Sequence, residues 1–138
     1  EIGKSSPFDR VIVGNGMEGT TLFGVHKEAK VFIQNGDSEA QPRTLKCSEM
    51  YLEKTATQII ESHEALKEIE SKRESIADMG ENALKTGKGP AAIQIASQAA
   101  CLSNLSDTFK TPQEGFNAAL KVLQSGNCYE KLMQWVKP

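Results

Sequence analysis

Three glycines open the question of chemistry in this chain. In VIVGNGMEGTT, Val11 to Thr21, Gly14, Gly16 and Gly19 spell G-x-G-x-x-G directly behind the apolar run Val11-Ile12-Val13. Glycines at that spacing let a backbone loop approach a pyrophosphate closely, but a dinucleotide site also needs a helix opening behind the last glycine. Gly24 follows Gly19 by only five residues, and the next strand-like run begins near Ala29. A crossover helix of about ten residues or more does not fit between them. Asp37 lies near the spacing of a ribose-binding acid, but in a turn after the wrong strand. The motif therefore reads as a glycine loop at the end of a strand. The second cluster, TGKGP at Thr86 to Pro90, follows a helical pattern, and no Ser or Thr follows Lys88, so it reads as a helix-to-helix turn. His26 and His63 are far apart and stand beside no candidate nucleophile; His63 lies on an apolar stripe and reads as a core residue. The residues alone assemble no complete active site.

The elements that would position these residues divide the chain in two. Val11–Val13 and Ala29–Ile33 read as strands, Asn35-Gly36 as a turn, and Arg43–Lys46 as the strand returning from it, with Gln41-Pro42 lengthening the loop. From Ser48 onward the period becomes helical. Thr55, Ile59, Ile60, His63, Leu66 and Ile69 form one stripe, and Ile76, Met79, Ala83 and Leu84 a second. Pro90 suits the first turn of an alanine- and serine-rich helix, AAIQIASQAACLSNL, expected at the centre of the helical cluster. Thr111-Pro112-Gln113-Glu114 is a capping box opening a helix with Phe116, Ala119, Leu120 and Leu123. Gly126 should end it in a left-handed cap. Asn127 should then cap a last helix with Tyr129, Leu132, Met133 and Val136 facing inward. The expected core is Phe32, Ile33, Ile95, Leu102, Phe116, Leu120 and Leu123, with a strand edge left exposed.

Composition narrows the class. The 138 residues suffice for one domain, and 16 basic against 18 acidic residues leave a net charge of −2 with no basic stripe. No apolar run approaches the roughly 20 residues a membrane-spanning helix needs, so no membrane partner is expected. Three scattered cysteines, Cys47, Cys101 and Cys128, without C-x-x-C spacing, read as reduced thiols and a cytoplasmic protein.

The run GKGPAAIQIASQAACLS resembles the Gly-Pro turn and alanine-rich helix of anthranilate phosphoribosyltransferase and its relatives. DTFKTPQEGFNAALKVLQSGNCYEKLMQWV resembles that family's capped Glu-Gly helix, Ser-Gly turn and final helix. More loosely, VIVGNGMEG and AKVFIQNGD are similar to its strand, glycine loop and following strand and turn. The resemblance implies an α/β fold: the C-terminal part of a nucleoside-phosphorylase/phosphoribosyltransferase-type domain. Residues 1–138 would be a single fragment of the catalytic domain, with strands over about 10–46 and some five helices over about 48–136. The helical N-terminal domain and the Gly-Thr-Gly-Gly-Asp pyrophosphate loop would precede Glu1.

By the same resemblance, the whole protein is a transferase of tryptophan biosynthesis. It would pass phosphoribosyl from phosphoribosyl pyrophosphate to anthranilate with magnesium, and the isolated fragment would be inactive. Gly14, Gly16 and Gly19 would lie against substrate, and Glu18 would touch a hydrated magnesium ion, whose hard charge favours carboxylate oxygen. The family writes an adjacent Asp-Glu pair where this chain has Glu18 and Gly19, and a histidine where it has Val13. That departure supports an alternative: a non-catalytic paralogue acting as a binding protein, as relatives that bind nucleic acid do. The family's dimer contact lies in the N-terminal domain, and the exposed strand edge leaves self-association open.

Overall fold

The computed structural model describes residues 8–14, 28–69 and 73–136, the side chains of 73–75 excepted. Within them a three-stranded antiparallel sheet precedes six helices, a mixed α/β arrangement. Strands β1 (Arg10–Gly14), β2 (Glu28–Asn35) and β3 (Gln41–Lys46) lie in that order, with β2 in the middle. Each runs slightly longer than the apolar residues alone suggest. Pro42 sits within β3 rather than before it, because β3 is an edge strand and a missing N–H costs nothing on its open side. Gly36 makes the turn at φ 50°, and Ser38 closes it by donating its N–H to the Asn35 carbonyl at 3.0 Å.

Strand alternation decides which residues of β2 are inside. Ala29 and Val31 are buried and Ile33 half-buried, beside Leu45 of β3. Phe32 therefore faces outward, 49% exposed, in register between Val13 and Pro42. This corrects the expected place of Phe32 in the core. A period of two leaves no middle course: with Val31 inside, its neighbour is outside.

The helices are α1 (Cys47–Met50), α2 (Glu53–Lys67), α3 (Arg73–Thr86), α4 (Pro90–Leu105), α5 (Pro112–Gln124) and α6 (Asn127–Val136). The short α1 was not anticipated as a separate element. Helix α4 is the central one, as its small side chains suggest. Ala92, Ala96, Ala100 and Cys101 are fully buried, and α4 packs most extensively against α5 and then α2. A Cβ at Gly115 of α5 would lie 2.7 Å from Ser103 Oγ and 3.1 Å from Ala100 Cα. The absent side chain is what lets α4 and α5 approach that closely. Ile95 and Leu102, expected in the core, lie on the outer side of α4, because its inner side is already filled by alanine, serine and cysteine. The buried set includes Phe116 and Leu123, as expected, together with Ile59, Ile93 and Leu105. Each large apolar side chain so buried contributes about 1.5–3 kcal/mol.

The buried polar side chains Ser62, Gln94, Ser97 and Asn104 of the helical layer are paired. Gln94 donates through Nε2 to the Ile59 carbonyl at 2.8 Å and to Ser62 Oγ at 2.7 Å, tying α4 to α2. On α2, Ala56, Ile59 and Ser62 form the buried stripe, while Ile60 is exposed. Both halves of the Thr111–Glu114 capping box are formed, with Pro112 in the first helical turn. Gly126 adopts the expected left-handed conformation at φ 75°.

Helix α6 differs most from expectation. Its first helical residue is Asn127, and the Gly126 carbonyl accepts from Tyr129 and Glu130, so Asn127 is not the cap. None of its residues is fully buried; Leu132 and Val136 are exposed, and Trp135 is 79% exposed. Polar contacts tie α6 to α3: Tyr129 donates to Glu81 at 2.9 Å, and Lys85 pairs with Glu81 at 2.7 Å while lying 4.6 Å from the Tyr129 ring centroid.

Candidate functional site

Of the four residues that the resemblance assigns to substrate and magnesium, Gly14 alone is among the described residues. It ends β1, exposed, opposite Val31. Gly16, Glu18 and Gly19 lie outside the described residues, as does His26. Among the described residues no group of three or more His, Cys, Asp or Glu side chains is placed to hold a metal ion. The second glycine cluster is a structural turn. Gly87 and Gly89 take φ of 63° and 86°, and a Cβ at Gly87 would lie 2.5 Å from the Gln124 backbone nitrogen. His63 sits half-buried on α2.

The register shows where the chain enters and leaves the sheet. Gly14 pairs with Val31, and Val31 pairs with Arg43, so Gly14 and Arg43 occupy one rung on the two edge strands. Two strand spacings separate them, about 9–10 Å. Glu28, which begins β2, pairs with Lys46, which ends β3. The exit at Gly14 and the re-entry at Glu28 thus lie at the end of the sheet carrying Arg43 to Lys46.

At that end is a pocket of about 210 Å³ lined by residues of β3, α1 and the α4–α5 connection. Arg43, Lys46 and Lys110 line it, with Glu49 as the one lining carboxylate. Lys46 lies 3.4 Å from Glu49 and 3.9 Å from Glu28. The hydrogen bonds and ion pairs among the described residues engage neither the Arg43 guanidinium nor the Lys110 ammonium. Asn104, buried, donates through Nδ2 to the Phe109 and Lys110 carbonyls at 3.2 Å each, which pins the turn that presents Lys110. Pro112, at the positive end of α5, also lines the pocket. Its chemistry is that of an anion receptor. Sequence reasoning missed it because Arg43 and Lys110 belong to different elements; the near-neutral composition hides a local excess of positive charge.

A second hollow, of about 320 Å³, is almost wholly apolar and lies over α4 and α5, with Ile95, Ala99, Val122 and Cys128 in its walls. The other two thiols are core groups. Burial pushes Cys47 up to about 11, and pushes Cys101 up to about 12 against the opposing pull of the Arg43 charge. Neither is a thiolate at neutral pH, so neither is set up as a nucleophile.

No family model, curated protein or solved structure matches this chain.

Proposed function

We propose that the chain is the C-terminal portion of a phosphoribosyltransferase-like protein. In this reading the whole protein transfers phosphoribosyl from phosphoribosyl pyrophosphate to an anthranilate-like acceptor in the cytoplasm. The observation that carries the reading is the ordered match over the last fifty or so residues. The Gly89-Pro90 turn, the alanine-rich α4, the capped Glu114-Gly115 helix and the Ser125-Gly126 turn follow in the order the family resemblance implies. Catalysis of this class rests on positioning and on electrostatic stabilisation of a ribosyl cation-like transition state, which asks for fixed charges and backbone rather than a nucleophile. Magnesium, when bound, would offset the pyrophosphate charge, with Glu18 as this chain's contribution.

The test is an assay of the full-length gene product with phosphoribosyl pyrophosphate, anthranilate and magnesium. Turnover that falls in Glu18→Ala supports the reading. Turnover with unchanged magnesium dependence in that variant removes Glu18 from the site, and no turnover at all removes the enzyme reading.

Val13 and the single carboxylate Glu18 favour a second reading, a paralogue that binds without catalysing. A gel shift with nucleic acid, repeated across a salt series, tests it, since phosphate-driven binding weakens steeply with salt.

A further inference from the structure

We propose that the pocket between β3 and the α4–α5 connection is a binding site for a small phosphate-bearing ligand, held by Arg43, Lys46 and Lys110. The inference goes beyond the phosphoribosyl reading and does not depend on it.

Three features of the pocket converge on this ligand. First, three cations face one lining carboxylate, in a chain whose net charge is −2. Glu28 and Glu49 both compete for Lys46, leaving Arg43 and Lys110 as the groups with charge to spare. An arginine presents a planar fork of donors that matches two phosphate oxygens at once, and a lysine adds a point charge.

Second, the backbone that carries these two cations is fixed before any ligand arrives. Arg43 is carried by a strand in register with β2, and Lys110 by a turn fixed through both bonds of the buried Asn104 carboxamide. Less ordering is then left to be done on binding.

Third, the size selects. A pocket of about 210 Å³ has room for on the order of seven waters at about 30 Å³ each, enough for one or two phosphate groups. The ligand is therefore a phosphate monoester or pyrophosphate, not a nucleic-acid backbone.

Calorimetric titration of the full chain with inorganic pyrophosphate, in sodium chloride near 0.15 M to screen diffuse attraction, tests this directly. Expected are one site, a loss of about tenfold or more in affinity for both Arg43→Gln and Lys110→Gln, and an unchanged affinity for Lys121→Gln, an exposed lysine of α5 outside the pocket. Circular dichroism checks that each variant is folded. Should Arg43→Gln fail to fold, Lys110→Gln, on an exposed turn, still decides. Absence of binding by the wild-type chain overturns the proposal. So does a loss in Lys121→Gln equal to that in Lys110→Gln, or tighter and steeply salt-dependent binding of a short oligonucleotide. Pyrophosphate binding in a protein that shows no phosphoribosyl transfer supports this site and counts only against the enzyme reading.

Discussion

The Tyr51 hydroxyl donates to the Ser97 carbonyl at 3.1 Å from inside the core, joining the residue that follows α1 to the middle of α4. Its ring meets Phe116 edge-on, with centroids 5.9 Å apart and planes at 67°. One side chain thus links the end of the sheet layer to both central helices. Tyr51→Phe keeps the ring contact and loses the hydrogen bond, so it should destabilise by about 1 kcal/mol, against about 3–5 kcal/mol for Tyr51→Ala. Denaturant midpoints with unchanged slopes would establish both values; an unchanged midpoint in Tyr51→Phe would mean the hydroxyl contributes nothing.

The same region sets the response to alkali. Burial raises Tyr51 above the ordinary tyrosine value of 10.0, with smaller contributions from Cys101 and Cys47, and raises Cys47 and Cys101 from 9.0 to about 11 and about 12. These groups hold their protons more tightly when folded. Their contribution to stability is complete below about pH 9 and is lost as pH rises through 9 to 12. Urea midpoints should therefore be flat from pH 7 to 8.5 and fall beyond 9. Cys47→Ala should make that fall shallower, and a fall of unchanged steepness would exclude the Cys47 thiol as a source.

Three glycines of similar appearance should respond to alanine in three ways. Gly80 of α3 has nothing within 4 Å of an added Cβ, so Gly80→Ala should stabilise by about 0.5–1 kcal/mol through helix propensity. Gly115→Ala would force Ser103 and Ala100 away and should cost about 1–3 kcal/mol. Gly87→Ala combines positive φ with a collision against the Gln124 backbone and should be the most damaging. Melting temperatures in that order would support the account; Gly80 falling below Gly115 would refute it.

Local signals in the sequence carried well into the structure. The Thr111–Glu114 capping box, the Asn35-Gly36 turn and the left-handed Gly126 depend on a few adjacent residues, and all three formed. What failed was side-chain direction. Phe32, Ile95 and Leu102 are as apolar as any core residue, yet the space beside them was already taken by Val31, Ala96 and Cys101. Hydrophobicity says that a residue tends to be covered; which of two neighbouring apolar residues is covered depends on the partner element. The basic pocket was illegible for the same reason, since only folding brings Lys110 beside Arg43.

Thiol reactivity offers a direct reading of the packing. Cys47 and Cys101 are buried and Cys128 is half-buried in the wall of the apolar hollow. A maleimide or disulfide reagent at neutral pH should modify Cys128 in the native protein and reach the other two only on unfolding. Mass spectrometry after a short pulse counts the modified sites. Rapid labelling of Cys101 would contradict the central position of α4.

The attachment of α6 should weaken with acid. Glu81 is held below its ordinary value of 4.5, first by the Lys85 bond and then by the Tyr129 hydroxyl. A depressed carboxylate contributes stability that is present above about pH 4.5 and is lost as pH falls and the group is protonated. Amides of α6 should exchange faster than those of α4 and α5 at neutral pH, and the gap should widen toward pH 4. Tyr129→Phe should produce part of that widening at pH 7, and α6 amides as slow as those of α4 would show that its docking does not rest on these contacts.

Trp135 is the chain's one tryptophan, and it stands in water near the end of α6. Its emission should already have the long wavelength of a hydrated indole in the native state, with iodide quenching it freely. Unfolding will move that spectrum little, so intrinsic fluorescence is a poor witness to the folding of this protein. It is a good witness to something else. A shift to shorter wavelength at constant helicity would report that another surface had come to cover α6.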